Sequence, residues 1–416
     1  MTTKFTTGGI AAPKGFTASG LFCGIKKSKK KDLALIYSEV PCTAAGVFTT
    51  NKVQASCVVI NKKHLADGKA QAILANSGNA NCMTGKSGFK DSETMAATIG
   101  TALHIAKQNV LVASTGVIGK PLPIGKIVDA APELVKKLSK KGAKDAALGI
   151  LTTDHTVKEV AAEVMIGKTK IKIGAIAKGA GMIHPQMALS SSAKGFGGTK
   201  HATMLCFVTT DASIALPALR TALDEATQNT FNMITIDGDM STNDMVLVLA
   251  NGMAGNKKII GGSKESKIFS KALAALFLTL AKLMVRDAEG ATKFVEVRVL
   301  GAKSDSDARV AARAVASSNL VKCALFGSDP NWGRIAAAIG QSAAHVDPWK
   351  MKIYLGKELV LQKGGKVEKK AALLDKVFAQ KNIRITVDLG LGTASATAYT
   401  CDLSLAYVQL NSAYRT

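Results

Sequence analysis

Strand-like and helix-like segments come in groups along this chain, and the grouping restricts the architecture more than any single motif does. DLALIY (32–37), ASCVVI (55–60) and QAILANSGNANC (71–82) read as strands, the last breaking into a Ser/Gly/Asn turn. DSETMAATIGTALHIAK (91–107) predicts a helix, because Met95, Ile99 and Leu103 recur at four-residue spacing and Asp91 or Ser92 can cap it. NVLVASTGVIG (109–119) returns to strand, APELVKKLSKK (131–141) to basic amphipathic helix, and KIKIGAIAKGAGMI (170–183) and MLCFVTTDASI (204–214) to strand. PALRTALDEATQNTFNMI (217–234) and SKIFSKALAALFLTLAKLMV (266–285) predict helices; VEVRVLG (295–301), IRITVDLGLGTASATAYTCDL (383–403) and LAYVQL (405–410) alternate like strands. Strands in runs and helices in runs point to a layered α+β architecture rather than a simple βαβ alternation.

Composition narrows the class. With 416 residues, 47% of them hydrophobic, the chain can bury a large core and divide into more than one unit. The most apolar stretch is broken by Lys271 and Lys282, which leave ten uncharged residues between them. A membrane span needs about 18. No uninterrupted apolar run follows the first lysine, so no signal peptide is read, and a soluble, cytoplasmic protein without membrane attachment is the expectation. The seven cysteines form no CxxC pair, the pattern of reduced thiols. A net charge of +24 raises the question of nucleic acid. Aromatic residues make up only 5% and do not interleave the lysine runs, so a solvated basic surface with mild attraction for acidic metabolites is expected, with no nucleic-acid partner.

Several apparent motifs fail on spacing. GKPLPIGKI (119–127) has five residues between Gly119 and Gly125 where a phosphate loop needs four, and Ile127 stands where Ser or Thr would hold magnesium. DGDMSTND (237–244) begins like a calcium loop but has Thr242 at its sixth position and Val248 at its twelfth. The six histidines form no HExxH pair, there is no GxSxG elbow, and Cys206 lies inside an apolar run as a buried structural thiol would. Neither a metal nor an organic cofactor is expected.

What remains is a series of small, polar islands at strand ends. They are Ser77-Gly78-Asn79-Ala80-Asn81, Ser114-Thr115-Gly116, Thr152-Thr153-Asp154, KGAGMIHPQMA, ATMLCFVTTDA, DGDMSTND, RDAEGATK, GSDPNWGR and the terminal NSAYRT. Each alone is explained by the turn preferences of Gly, Asn and Ser. In order and wording together they closely resemble the bifunctional ornithine acetyltransferase/glutamate N-acetyltransferase family of arginine biosynthesis. The resemblance runs from GGIAAPKGF at 8–16 to the last residue.

That resemblance implies a layered α/β/β/α-like catalytic unit of the N-terminal-nucleophile type, similar to the ornithine acetyltransferases and DmpA, over residues 1–290. A smaller α/β domain would follow over 291–416. It also implies a precursor that cleaves itself between Ala202 and Thr203 into chains 1–202 and 203–416, assembling as an α2β2 heterotetramer. Thr203 would be the nucleophile, and Thr115 and Gly116 the oxyanion donors. Thr152, Lys178, Thr203, Glu289, Asn411 and Thr416 would contact substrate, with the C-terminus returning over the site. Asp237, Asp239 and Trp332 would be framework.

The residue types suit the chemistry. A threonine hydroxyl is a weak nucleophile without an adjacent base, and cleavage before Thr203 creates an α-amine with an ordinary pKa of about 7.7–8.0. A hydroxyl and a glycine N–H are reasonable donors to a tetrahedral intermediate. The expected reaction is ping-pong: Thr203 takes the acetyl group of N-acetylornithine and glutamate collects it. Acetyl-CoA as a second donor stays open. So do a related amidohydrolase or aminopeptidase using water as acceptor, an uncleaved inactive homologue, and a non-enzymatic basic binding protein.

The chain departs from the family pattern at one place. Residues 189–202, Ser/Gly-rich, stand between Ala188 and Thr203, where the family has none, and Gln186 replaces the usual asparagine. The extra stretch bears on cleavage more than on acyl transfer, because a long loop costs little to close while a scissile bond must be accurately placed.

Overall fold

The computed structural model describes residues 3–189 and 203–413. The expected scissile residue Ala202, all of the inserted stretch except Leu189, and Thr416 lie outside the described residues. Two compact units are present: Met1–Asn232 with Asp239–Ala281, and Met233–Gly238 with Lys282–Thr416.

The first unit is built on a ten-stranded mixed sheet. Its strands are β1 (Lys4–Thr6), β2 (Phe16–Leu21), β3 (Leu33–Thr49), β4 (Lys69–Asn79), β5 (Val110–Val117), β6 (Lys158–Ile166), β7 (Thr169–Lys178), β8 (Met187–Leu189), β9 (Leu205–Thr210) and β10 (Met245–Ala250). The order is β1-β6-β7-β9-β10-β3-β4-β5, with β2 and β8 also paired to β3. Strand β3 is long and shifts register between Tyr37 and Cys42, so its first half pairs with β2 and β4 and its second half with β10. Strands β9 and β10 run parallel and every residue of both is buried. Their unbroken apolar runs are what a strand covered on both faces requires.

Helices α1 (Ser56–His64), α2 (Gly85–Leu103), α3 (Ile124–Lys136), α4 (Ala143–Ile150) and α5 (Leu216–Asn229) pack on this sheet and on one another, which makes the unit a layered α+β structure. Helix α6 (Lys264–Arg286) is by length and composition the one described helix able to cross a membrane. Its Phe269, Leu273, Leu276, Phe277 and Leu280 form a fully buried stripe, and Phe277 meets Phe231 with ring centroids 4.9 Å apart. This is the pattern of a core helix.

The second unit carries a six-stranded sheet of β11 (Phe294–Ala302), β12 (Lys352–Leu355), β13 (Glu358–Gln362), β14 (Gly365–Lys366), β15 (Asn382–Asp388) and β16 (Ala394–Cys401), in the order β14-β13-β12-β15-β11-β16. It also holds α7 (Asp305–Ser317), α8 (Asn319–Phe326), α9 (Trp332–Gly340), α10 (Ala371–Phe378) and α11 (Leu405–Ser412). Helix α7 lays Ala308, Ala311, Ala312 and Val315 into a core with Val295, Val297 and Val299 of β11.

Three sequence expectations are corrected. ASCVVI is part of helix α1, not a strand: Val58 and Ile60 are buried, and Asn61 binds both the N–H (2.9 Å) and the carbonyl (2.8 Å) of Val112 in β5. This tertiary grip overrides the β preference of the valines. LAYVQL is helix α11, because Ser404 caps it by accepting the N–H of Tyr407 at 3.2 Å. Asp91 and Ser92 are not the cap of α2, which starts at Gly85. Asn81 braces its early turns by donating to the Gly88 carbonyl at 2.8 Å and to Ser92 at 3.0 Å.

Candidate active site

Strand pairing brings the polar islands of the first unit together. Lys178 at the end of β7 is in register with Leu205, and Met245 at the start of β10 is in register with the same Leu205. The residues just before β9, Thr203 and Met204, thus sit between the end of β7 and the turn that leads into β10. Both flanks hold them. Lys178 donates its ammonium to the Thr203 carbonyl at 2.8 Å, Met204 donates its N–H to Asp244 at 2.8 Å, and Met245 donates to the Met204 carbonyl at 3.2 Å. Thr203 is buried, and its hydroxyl lies 2.9 Å from that of Ser241.

The Thr115-Gly116 pair is positioned independently. Strands β4 and β5 run parallel with Ser77 opposite Thr115 and Gly78 opposite Gly116. Gly116 has φ +134°, and a Cβ there would sit 2.4 Å from the Gly78 carbonyl carbon, so only glycine allows the two backbones this close. Asn243 ties this strand to the surroundings of Thr203. Its side-chain amide donates to the carbonyls of Ser114 and Ala80, each at 2.8 Å, and its backbone N–H donates to Ser241 Oγ at 3.0 Å.

Lys178 is fully buried, which excludes an ordinary surface charge. Besides the Thr203 carbonyl, its Nζ reaches Thr115 Oγ1 at 3.5 Å and the Asp154 carboxylate at 3.8 Å. Asp154 also accepts Lys158 Nζ and the Gly179 N–H, each at 2.7 Å, and the Thr152 N–H at 3.2 Å. Burial alone would raise its pKa, but Lys178 and Lys158 outweigh that and hold it near about 2. One buried network therefore joins Thr152, Lys178, Thr115 and Thr203.

Asp244 is the counterpart. It is completely buried, its Oδ2 has no hydrogen-bond partner, and burial pushes its pKa up to about 7 against the opposing pull of the Met204 N–H, Lys178 and Ser241. Cys206, two residues after Met204, is fully buried and burial raises its thiol pKa strongly, as expected of a structural thiol.

In the second unit, Asn411 on α11 donates to buried Glu289 at 2.9 Å. The loop carrying Glu289 is fastened from below: Asp402 accepts the N–H groups of Thr292 and Lys293, each at 2.9 Å, and Ser404 donates to the Gly290 carbonyl at 2.6 Å. Buried Lys322 braces the Cys401 and Asp402 carbonyls. Tyr407 donates its hydroxyl to Asp237 at 3.1 Å.

Sequence reasoning passed over Ser241, Asn243, Asp244 and Asp154. All four lie in the islands DGDMSTND and Thr152-Thr153-Asp154, and the available signal was four polar residues immediately ahead of an apolar strand.

A model of the ArgJ family matches residues 17–416. The chain belongs to the ArgJ family. Its relatives in that family include the arginine biosynthesis bifunctional protein of Symbiobacterium thermophilum, 49% identical over 99% of this chain and 100% of the relative. The protein of the same description from Caldanaerobacter subterraneus is 47% identical over 98% of this chain and 99% of the relative. Among solved structures, the ArgJ protein of Bacillus halodurans is 40% identical, with a TM-score of 0.43 over 45% of this chain and 98% of that one. The ornithine acetyltransferase of Mycobacterium tuberculosis complexed with ornithine is 38% identical, with a TM-score of 0.43 over 45% of this chain and 100% of that one. The resemblance read from the islands is thus membership in the ArgJ family.

Proposed function

We propose that this member of the ArgJ family transfers the acetyl group of N-acetylornithine to glutamate through an acetyl ester on Thr203. The observation that carries the proposal is the setting of Thr203. Its carbonyl rests on Lys178, its hydroxyl rests on Ser241, and Lys178 also reaches the hydroxyl of Thr115. A fixed backbone with the hydroxyl held on a second hydroxyl is the arrangement an acyl acceptor needs, since most of the gain comes from geometry established before reaction. Because Thr115 Oγ1 accepts from Lys178, its own proton is left to point at an oxyanion, with the Gly116 N–H as partner donor.

In this reading the chain cuts itself between Ala202 and Thr203, and the freed α-amine becomes the base for acetyl transfer. Chains 1–202 and 203–416 then assemble as an α2β2 heterotetramer in the cytoplasm. Thr152, Lys178, Glu289, Asn411 and Thr416 contact the amino-acid substrates. No cofactor takes part, and acetyl-CoA is tested as an alternative donor in the same assay.

Denaturing mass spectrometry of the purified protein decides the cleavage, with two fragments meeting at 202/203 expected. Incubation with N-acetylornithine and glutamate is expected to yield N-acetylglutamate. Free acetate as the sole product would assign water as the acceptor and a hydrolase in place of the transferase.

A further inference from the structure

We infer that Lys26 is a substrate-binding residue that holds the α-carboxylate of the acetyl donor beside the Thr115-Gly116 pair. The inference rests on the acetyl-transfer reading above and adds to it a residue that lies in none of the polar islands. In an N-acetyl amino acid the carboxylate carbon is joined to the attacked carbonyl carbon through the amide nitrogen and Cα, so it lies within about 4 Å of it. The cation that receives the carboxylate must therefore stand next to the groups that receive the carbonyl oxygen. In that reading these are Thr115 and Gly116.

Backbone packing brings Lys26 to this place. Gly78 of β4 is in register with Gly116 of β5. Gly78 has φ +101°, and a Cβ on it would meet Lys26 Cγ and Ile25 Cγ2, each at 3.1 Å. The stem of Lys26 thus crosses over the residue paired with Gly116. A buried carboxylate fixes the crossing. Asp32 is fully buried and accepts the N–H groups of Cys23 and Ile25 at 2.7 Å and of Lys26 at 2.9 Å. Its own carbonyl accepts the N–H of Ser77 at 2.9 Å, so one residue binds both the loop of Lys26 and the end of β4.

Donor capacity separates Lys26 from Lys178. Lys178 is fully buried, and its ammonium already faces the Thr203 carbonyl, the Thr115 hydroxyl and the Asp154 carboxylate. Lys26 is half-buried, and its ammonium donates to the Lys31 carbonyl at 2.7 Å. An ammonium has three protons, which leaves Lys26 donors to spare. Lys27, Lys29 and Lys30 of the same lysine run are exposed. Charge points the same way. Asp154 is shared between Lys158 and Lys178, and Asp32 spends its oxygens on backbone N–H groups. A carboxylate from the substrate supplies the anion that Lys26 lacks. Burial lowers the Lys26 pKa to about 8, with Asp32 and Asp154 opposing the shift and Lys178 and Lys30 adding to it. The ammonium is therefore charged at pH 7 yet partly desolvated, a state in which it attracts a carboxylate more strongly than in water.

The test changes the protein and the donor together. N-acetylornithine and N-acetyl-1,4-diaminobutane, the same molecule without its carboxylate, are compared as acetyl donors to glutamate in wild type, Lys26→Met and Lys26→Arg. Lys26→Met is expected to lower kcat/KM for N-acetylornithine by about 10- to 100-fold, mostly through KM. The same substitution should affect the decarboxylated donor far less, and Lys26→Arg should keep most of the preference for N-acetylornithine. Equal losses on the two donors would make the role structural and overturn the inference, as would a Lys26→Met enzyme with the wild-type KM for N-acetylornithine. Should Lys26→Met fail to fold, Lys26→Gln carries the same comparison. A wild-type enzyme that transfers acetyl from neither donor sinks the transferase reading itself and is a separate result.

Discussion

Lys178 has no exposed surface, and its ammonium meets the Thr203 carbonyl, the Thr115 hydroxyl and the Asp154 carboxylate. Asp154 in turn serves Lys158, so replacing it with asparagine leaves two buried cations without their shared anion. Asp154→Asn is expected to cost about 3–5 kcal/mol in urea unfolding, the usual consequence of breaking a buried pair from one side. The two buried aspartates should also tilt stability with pH in opposite senses. Asp154 is held near about 2, below its unfolded value of about 3.9, so its contribution is complete above pH ~4 and is lost as pH falls toward 2. Asp244 is raised to about 7, so the folded chain binds more protons than the unfolded one from pH ~4 to ~7, and stability falls as pH rises through that window. Urea midpoints of wild type against Asp154→Asn and Asp244→Asn should separate the two arms. Thr115→Ala should lower kcat by about 10²–10³ with a smaller change in KM. At this scale Thr203, Lys178 and Thr115, which the fold brings together, could be singled out in the sequence because each sits inside a worded motif. Asp154, Ser241, Asn243 and Asp244 were not, because their meaning comes from partners distant in sequence; Asn243 reaches Ser114, 129 positions away.

Helices and strands were readable wherever burial and periodicity agreed. The continuous apolar runs of β9 and β10 are buried throughout, and α5 and α6 lie close to their expected spans. Misreadings fell where apolar, β-branched composition suggested a strand and a polar side chain at the segment's edge fixed a helix. In α1 the agent is Asn61 gripping β5, and in α11 it is Ser404, which caps the helix while donating to Gly290. The Asn61 contact spans 51 positions and leaves no trace in a window of neighbouring residues, whereas the Ser404 cap is a local signal that the alternation of LAYVQL masked. Ser404→Ala should therefore cost about 0.5–2 kcal/mol for the lost cap and loosen the loop that carries Glu289. A rise in the thermal unfolding signal of the second unit at lower temperature, and a raised KM for glutamate, would register the two effects.

For the whole molecule, membership in the ArgJ family came from nine islands read together, none of which was diagnostic alone. Pattern could also suggest more than one unit, yet it could not show that Met233–Gly238 belongs with the later part of the chain. That assignment comes from pairings such as Ile234 with Tyr399, which only the folded chain reveals. The charge of +24 should act at this scale as well, through self-repulsion of the compact state. Added salt at pH 7 is expected to raise the melting temperature, and a flat or falling response would mean the cations are already locally paired.

Among the described residues, every grip on the segment that begins at Thr203 comes from another strand or from farther along the chain: Lys178 on the carbonyl, Ser241 on the hydroxyl, Asp244 on the following amide. None of these three contacts uses the threonine nitrogen. The sequence ahead of it can accordingly be rewritten or lengthened over evolutionary time while the Thr203 hydroxyl keeps its address.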